Sequence, residues 1–169
     1  NTRSRGLGDV YKRQEIFKGL EEYMPTFNPR CIDALLHRVP GLSERFIYFN
    51  DDMFLIKKTQ AKDWFTVAGK PVLRGKWSKS YNTMWHKKIA ELFYSFTNKR
   101  PSYNLAQSVS ANMAGFNNRY YRSFHSGRPL LKSVFEEYFK KNPQILRNQL
   151  KYKFRNRNQF MPYSLGWHL

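Results

Sequence analysis

The densest chemistry in the sequence is Asn50-Asp51-Asp52, directly after the apolar run Phe46-Ile47-Tyr48-Phe49. Two adjacent carboxylates at the end of a buried strand repel each other and are costly to desolvate, so their position needs a reason. One reason is a hard divalent cation on substrate phosphates, because Mg²⁺ takes one or two protein carboxylates and fills its shell with phosphate oxygens and water. The carboxyl end of a strand is also where open α/β sheets place ligands. A solvated Asn-Asp turn between strands uses the same residues for no chemistry, and spacing alone leaves both readings open.

A second candidate is the segment Arg122-Ser-Phe-His-Ser-Gly-Arg-Pro129. Ser126 suits a helix cap with Pro129 in the first turn, which sets His125 just before a helix N-terminus. Unsatisfied N–H groups there, with Arg122, Arg128 and Lys132 nearby, would receive an anion. The other histidines have plainer readings. His37 follows Asp33 by four residues, so the two share a helix face away from the apolar stripe. His86 stands beside Lys87 and Lys88 on a solvated face, and His168 stands at the chain end. Arg155, in Phe154-Arg-Asn-Arg-Asn-Gln159, reads by itself as part of a basic solvated turn.

Elements must hold these residues in place. Asn28 caps a helix with Pro29 in its first turn, and Ile32, Leu35, Leu36 and Val39 give it an apolar stripe before Pro40-Gly41 ends it. The run 46–49 predicts a buried strand, and Met53-Phe54-Leu55-Ile56 resumes apolar character after the acids. Residues 60–80 read as loop with one short strand. A helix is expected over 82–97, carrying Trp85, Ile89, Leu92, Phe93 and Phe96, and another over Leu105 to Met113 before Gly115. The Ser126 helix carries Leu130, Leu131, Val134, Phe135, Tyr138 and Phe139, and Asn142-Pro143 restarts it. The pattern is helix-rich α/β.

The 169 residues, 41% hydrophobic and 17% aromatic, suffice for one domain with a real core. The single Cys31 excludes an internal disulfide and a multi-cysteine metal site. No apolar run reaches the roughly 18–20 residues of a membrane span, and no signal peptide is evident, so the default compartment is cytoplasmic. The net charge of +18 is uneven: residues 1–60 hold 10 Lys/Arg and 8 Asp/Glu, whereas 61–169 hold 20 and 4. Such a basic second half attracts polyanions, whether nucleic acid, anionic lipid or a phosphorylated substrate. A basic aromatic nucleic-acid-binding module is therefore the alternative from another class.

The stretch MPTFNPRCIDALLHRVPGLSERFIYFNDDMFL, residues 24–55, resembles the second conserved region of the Stealth family. These are bacterial capsular-polysaccharide phosphotransferases related to the catalytic subunit of N-acetylglucosamine-1-phosphotransferase. SFHSGRPLLKSVFEEYF and YKFRNRNQFMPYSL are similar to the family's third region. Asn50, Asp51 and Asp52 match the Asn-Asp-Asp motif, His125 the active-site histidine, and Arg155 the arginine after the third region's helix. Asp33 stands where the family usually has Glu, with a shorter reach. Cys31 sits where a small residue is common and implies no chemistry. The family's first region, expected upstream of the matched stretches, and its fourth, an acidic motif expected downstream of Leu169, find no match.

The resemblance implies a Rossmann-like nucleotide-sugar transferase core with a helical basic insert, incomplete at both ends. Residues 1–14, which lack apolar periodicity, are expected to be a non-native read-through segment, and 15–169 a partial catalytic phosphotransferase domain. The implied reaction moves a hexose-1-phosphate from a UDP-sugar donor to a hydroxyl of a glycan acceptor, forming a phosphodiester in capsular polysaccharide. Asp51 and Asp52 would hold Mg²⁺ or Mn²⁺, while Asp33 orients the metal or acceptor. His125 would act as general base, imidazole being suited to proton transfer near neutrality. A carboxylate in that role would leave His125 to bind phosphate. Arg155 would neutralise the transferring phosphate, and Asn50, Arg128 and Lys132 would bind substrate. Peripheral contact with the anionic inner membrane face and no specific nucleic acid are expected. A metal-dependent glycosyltransferase is the nearer alternative, separated by its products.

Overall fold

The computed structural model describes residues 13–84 and 102–169. The helix expected over 82–97 falls outside the described residues from position 85 onward, as do His86 and residues 1–12 of the amino-terminal segment. Helix α1 covers Pro29–Ala34, with Pro29 at its first position and the Asn28 side chain accepting from the Arg30 N–H. This is the predicted cap, on a shorter helix: Leu35 turns its N–H to Ile32 and Asp33, and a 3-10 turn, Leu36–Arg38, follows. Strand β1 is Arg45–Tyr48 and β2 is Gly75–Lys79. Helix α2 runs Tyr103–Met113 from a Ser102 cap, and Gly115, at φ 92°, takes the chain out of it. Strands β3 (Arg119–Ser123) and β4 (Arg128–Leu131) precede helices α3 (Lys132–Lys141), α4 (Pro143–Leu150) and α5 (Pro162–His168).

The strands form two antiparallel pairs, β1 with β4 and β2 with β3. The chain is thus a mixed helix-and-strand protein with small antiparallel sheets. The strand before the acids and the helix after His125 both differ from expectation. The strand ending in the acids is half-buried rather than buried: Phe46 and Tyr48 pack on the core, while Phe49 turns edge-on to Trp64 at 5.8 Å. Its β4 partner covers one edge, and alternation decides which side chains go inward. The helix expected from Ser126 begins at Lys132 instead, because residues 128–131 pair with β1, Leu130 opposite Phe46 and Pro129 opposite Ile47. Tertiary pairing outweighs the local capping signal.

The main core joins Ala34 and Ala106 to Leu130, Phe135, Phe139 and the α5 side chains Tyr163, Leu165 and Trp167. A smaller cluster sets Cys31 and Leu35 against Phe17 and Leu150. His37, expected on a solvated face beside Asp33, is buried against the rings of Phe135 and Phe139, and burial lowers its pKa to about 4. The early end of α1 removes the i,i+4 geometry that would have joined it to Asp33. His168 clasps α5 to β3: its Nε2 accepts from the Tyr121 N–H at 2.9 Å and its Nδ1 faces the Ser164 carbonyl at 2.6 Å.

Between α4 and α5 the chain is fixed by buried amides. Asn28 Nδ2 reaches the carbonyls of Tyr152 and Phe154 and the Gln159 Oε1, all within 3.0 Å. Gln159 donates to the Gln149 carbonyl, and Gln149 donates to those of Arg30 and Phe160. Arg30 Nη1 closes the set on the Asn156 carbonyl at 3.1 Å. This network holds the loop that carries Arg155. Gln159→Leu leaves its backbone partners unsatisfied and is expected to cost roughly 2–3 kcal/mol, measured by urea denaturation. A loss under about 0.5 kcal/mol would show that the network does not hold the loop.

Candidate functional site

A cavity of about 410 Å³ opens where β1 ends. α1 contributes Pro29, Arg30 and Asp33; the end of β1 contributes Tyr48, Phe49, Asn50 and Asp51; Tyr103, His125, Arg155, Met161 and Tyr163 complete the wall. Residues far apart in sequence thus meet at one concave surface: Asp33, Asn50, Asp51, His125 and Arg155 all line it. Asp52 lies at its rim, Oδ2 3.2 Å from His125 Nε2, with both side chains about 60% exposed (61% and 62%).

Arg128 holds this surface from beneath. It is 1% exposed and stacks 4.0 Å from the centre of the Tyr163 ring. Its Nη1 donates to Asn50 Oδ1 at 3.3 Å, and its Nη2 to the Tyr103 hydroxyl at 3.4 Å. Arg128 therefore fixes Asn50, and with it the start of the acidic turn. Lys132 is not among the lining residues; it pairs with Glu136 one helical turn on, at 3.3 Å. The α3 N-terminus is also engaged. The Ser133 N–H and hydroxyl donate to the two Glu44 carboxylate oxygens, and the Lys132 N–H to the Glu44 carbonyl. The anion position that the sequence suggested there is filled by the protein's own carboxylate. Gly127 has a packing role: a Cβ would lie 2.7 Å from Phe49 and 2.8 Å from Trp64.

Asp33 is the electrostatically unusual member. Burial raises its pKa to about 6, against the opposing pull of the Tyr48 hydrogen bond and of Arg128, Arg155 and Arg30. The Tyr48 hydroxyl donates to Asp33 Oδ1 at 3.1 Å, and burial with the neighbouring carboxylate drives the Tyr48 pKa upward. Arg30 is lowered first by burial and then by the charge of Arg155. Two guanidiniums lining one concave wall favour an anion in the cavity.

Among the described residues no group of three or more His, Cys, Asp or Glu side chains is placed to hold a metal ion. Two adjacent carboxylates without a third protein ligand suit a cation that draws its other ligands from substrate phosphates, as Mg²⁺ does, rather than an all-protein cage. Sequence reasoning missed the walls Tyr48, Tyr103 and Tyr163 and the supporting amides Asn28, Gln149 and Gln159. The alternation of Phe46 and Tyr48 signals the first; polar glutamines within apolar stretches signal the last.

Carboxylate, imidazole and guanidinium side chains thus share one concave surface. Residues 6–73 match the family model of Stealth protein CR2, conserved region 2. The chain is 31% identical over 160 residues to the capsular polysaccharide phosphotransferase cps1A of Actinobacillus pleuropneumoniae, an alignment covering 87% of this chain and 39% of that protein. It is 30% identical over 163 residues to the capsular polysaccharide phosphotransferase fcs1 of Haemophilus influenzae, covering 85% and 40%. Over 86 residues it is 37% identical to the capsular polysaccharide phosphotransferase CpsJ of Streptococcus thermophilus, covering 47% and 35%. The chain belongs to the Stealth family. It spans about two fifths of the length of the first two relatives. Among the described residues no helix is long and apolar enough to cross a membrane.

Proposed function

We propose that the full-length protein transfers a hexose-1-phosphate from a UDP-sugar to a hydroxyl of an acceptor glycan, forming a phosphodiester in capsular polysaccharide. The observation that carries this reading is the convergence of Asp33, Asn50, Asp51, His125 and Arg155 on one cavity. Relatives named capsular polysaccharide phosphotransferases support it. In the full-length protein, β1 and its acidic end are assigned to a Rossmann-like nucleotide-sugar core. Cytoplasmic placement, with the basic second half against the anionic inner membrane face, accords with the charge distribution. A nucleic-acid module has no use for carboxylates gathered in a concave site.

Phosphoryl transfer needs positioning and charge neutralisation more than covalent chemistry. Asp51 and the Asp52 oxygen turned from His125 would hold Mg²⁺ or Mn²⁺, which when bound neutralises the donor diphosphate. His125 Nε2 lies 3.2 Å from Asp52 Oδ2, and because a carboxylate oxygen accepts, the tautomer with the proton on Nε2 would leave Nδ1 to take a proton. The acceptor hydroxyl gives that proton to Nδ1 as its oxygen bonds to the sugar-bearing phosphorus. The bond from that phosphorus to the bridging oxygen breaks, and UMP leaves with the electron pair. Arg155, next to Arg30, neutralises the transferring phosphate; a planar guanidinium can grip two of its oxygens. Asp33, held by Tyr48, orients the acceptor.

Asp51→Asn combined with Asp52→Asn in the full-length protein tests the reading. Replacing both anionic ligands weakens hard-cation binding, and magnesium-dependent turnover is expected to fall by at least ~10³-fold with the far-UV dichroism unchanged. Retained turnover would contradict the assignment of the cation.

A further inference from the structure

We propose that a second cavity, about 360 Å³ and adjoining the first, binds an anionic group of the acceptor glycan, such as a phosphodiester already in its chain. Its lining is Lys76, Tyr103, Arg122, Ser123, Phe124 and His125. Tyr103 and His125 line both cavities, so a ligand in the second reaches the residue assigned to deprotonate the acceptor.

Lys76 and Arg122 stand directly opposite each other in the β2–β3 ladder, both exposed. Like charges opposite one another destabilise a strand pair. The described ion pairs, His125 with Asp52 and Lys132 with Glu136, bring no carboxylate to either of them. The ladder is also tight beside them: a Cβ on Gly75 would lie 2.2 Å from the Arg122 carbonyl oxygen. Two cations held close on a rigid ribbon are costly for the fold alone and favourable when an anion lies between them. The wall behind them is built, since the Tyr103 hydroxyl and Ser123 Oγ lie 2.8 Å apart and the Ser123 N–H donates to the buried Gln107 at 2.8 Å. Phe124, 51% exposed, offers a flat apolar face suited to a sugar ring.

The choice of ligand rests on the phosphotransfer reading. Each transfer leaves one phosphodiester in the product, so an acceptor that is itself an earlier product carries a negative charge near its reacting hydroxyl. The donor diphosphate is the other anion available, but the acids proposed to hold its cation belong to the first cavity.

Isothermal titration calorimetry on the full-length protein separates these cases with three probes. They are a phosphodiester-linked hexosamine oligosaccharide, a neutral glycosidic oligosaccharide of the same length, and UDP. The wild type should prefer the phosphodiester-linked probe by about tenfold, two charge-assisted contacts being enough for that. Lys76→Gln with Arg122→Gln should abolish the preference and leave UDP affinity unchanged, while Lys76→Arg should keep it. No preference in the wild type, or a preference surviving in the double variant, would overturn the subsite. Loss of UDP affinity in the double variant would overturn it too, by assigning the cations to the donor. A wild type that shows the preference yet forms no phosphodiester in turnover would sink the transfer reading alone.

Discussion

His125→Ala in the full-length protein is expected to lower turnover by roughly 10²–10⁴-fold, the usual worth of a positioned general base, with donor affinity nearly unchanged. The expectation follows from placement. His125 lines the cavity that also holds Asp51 and Arg155, and the Asp52 carboxylate 3.2 Å away fixes its orientation. Its side chain is exposed, so truncation opens no core cavity and a loss of rate cannot be charged to unfolding. Free imidazole should restore part of the lost rate, because only the proton acceptor is missing. Calorimetry with the donor and steady-state kinetics with the acceptor make the comparison. Turnover within tenfold of wild type would move the base role to a carboxylate, and Asp33 is the one at hand.

Asp33→Asn should stabilise the fold at neutral pH while depressing turnover. The Asp33 pKa is raised to about 6, chiefly by burial, from an ordinary value of 3.8. The folded state therefore binds this proton more tightly than the unfolded chain. Stability from this group is intact below the unfolded value, falls as pH rises through the window between the two values, and stays at its reduced level above about 6. An uncharged amide escapes the penalty and can still accept the Tyr48 hydroxyl. The variant should gain on the order of 1–3 kcal/mol above about pH 7, and the gain should vanish below about pH 4. Urea denaturation at the two pH extremes checks this, with turnover measured alongside. A variant no more stable than wild type at neutral pH would mean that burial does not strain the carboxylate. A gain in stability with a loss in rate is the trade-off expected of a functional charge held in an unfavourable place.

What could be read in advance divides along physical lines. Local signals with short reach were legible: the Asn28-Pro29 helix start, helical character over Leu105 to Met113, the Asn142-Pro143 restart and the strand that delivers Asn50-Asp51-Asp52. The meeting of Asp33, Asp51, His125 and Arg155 at one cavity followed only from the family resemblance, because nothing local links residues so far apart in sequence. Partnership was not legible. Arg128 read as a substrate-binding charge, and nothing local shows that two tyrosine rings and an amide receive its buried guanidinium. Lys132 and the α3 N-terminus looked anion-seeking until Glu136 and Glu44 were seen to occupy them. His37 was placed on the wrong face because a helix stopping at Ala34 breaks the 3.6-residue count. Charges and apolar period are written in the sequence; their partners are set by the fold.

Phosphotransfer and glycosyl transfer differ in which atom the acceptor attacks. Full-length protein given a UDP-sugar, Mg²⁺ and a glycan acceptor should release UMP, and phosphorus NMR of the glycan should show a new phosphodiester resonance. Release of UDP with a phosphorus-free glycosidic product would place the attack on the anomeric carbon and contradict the account.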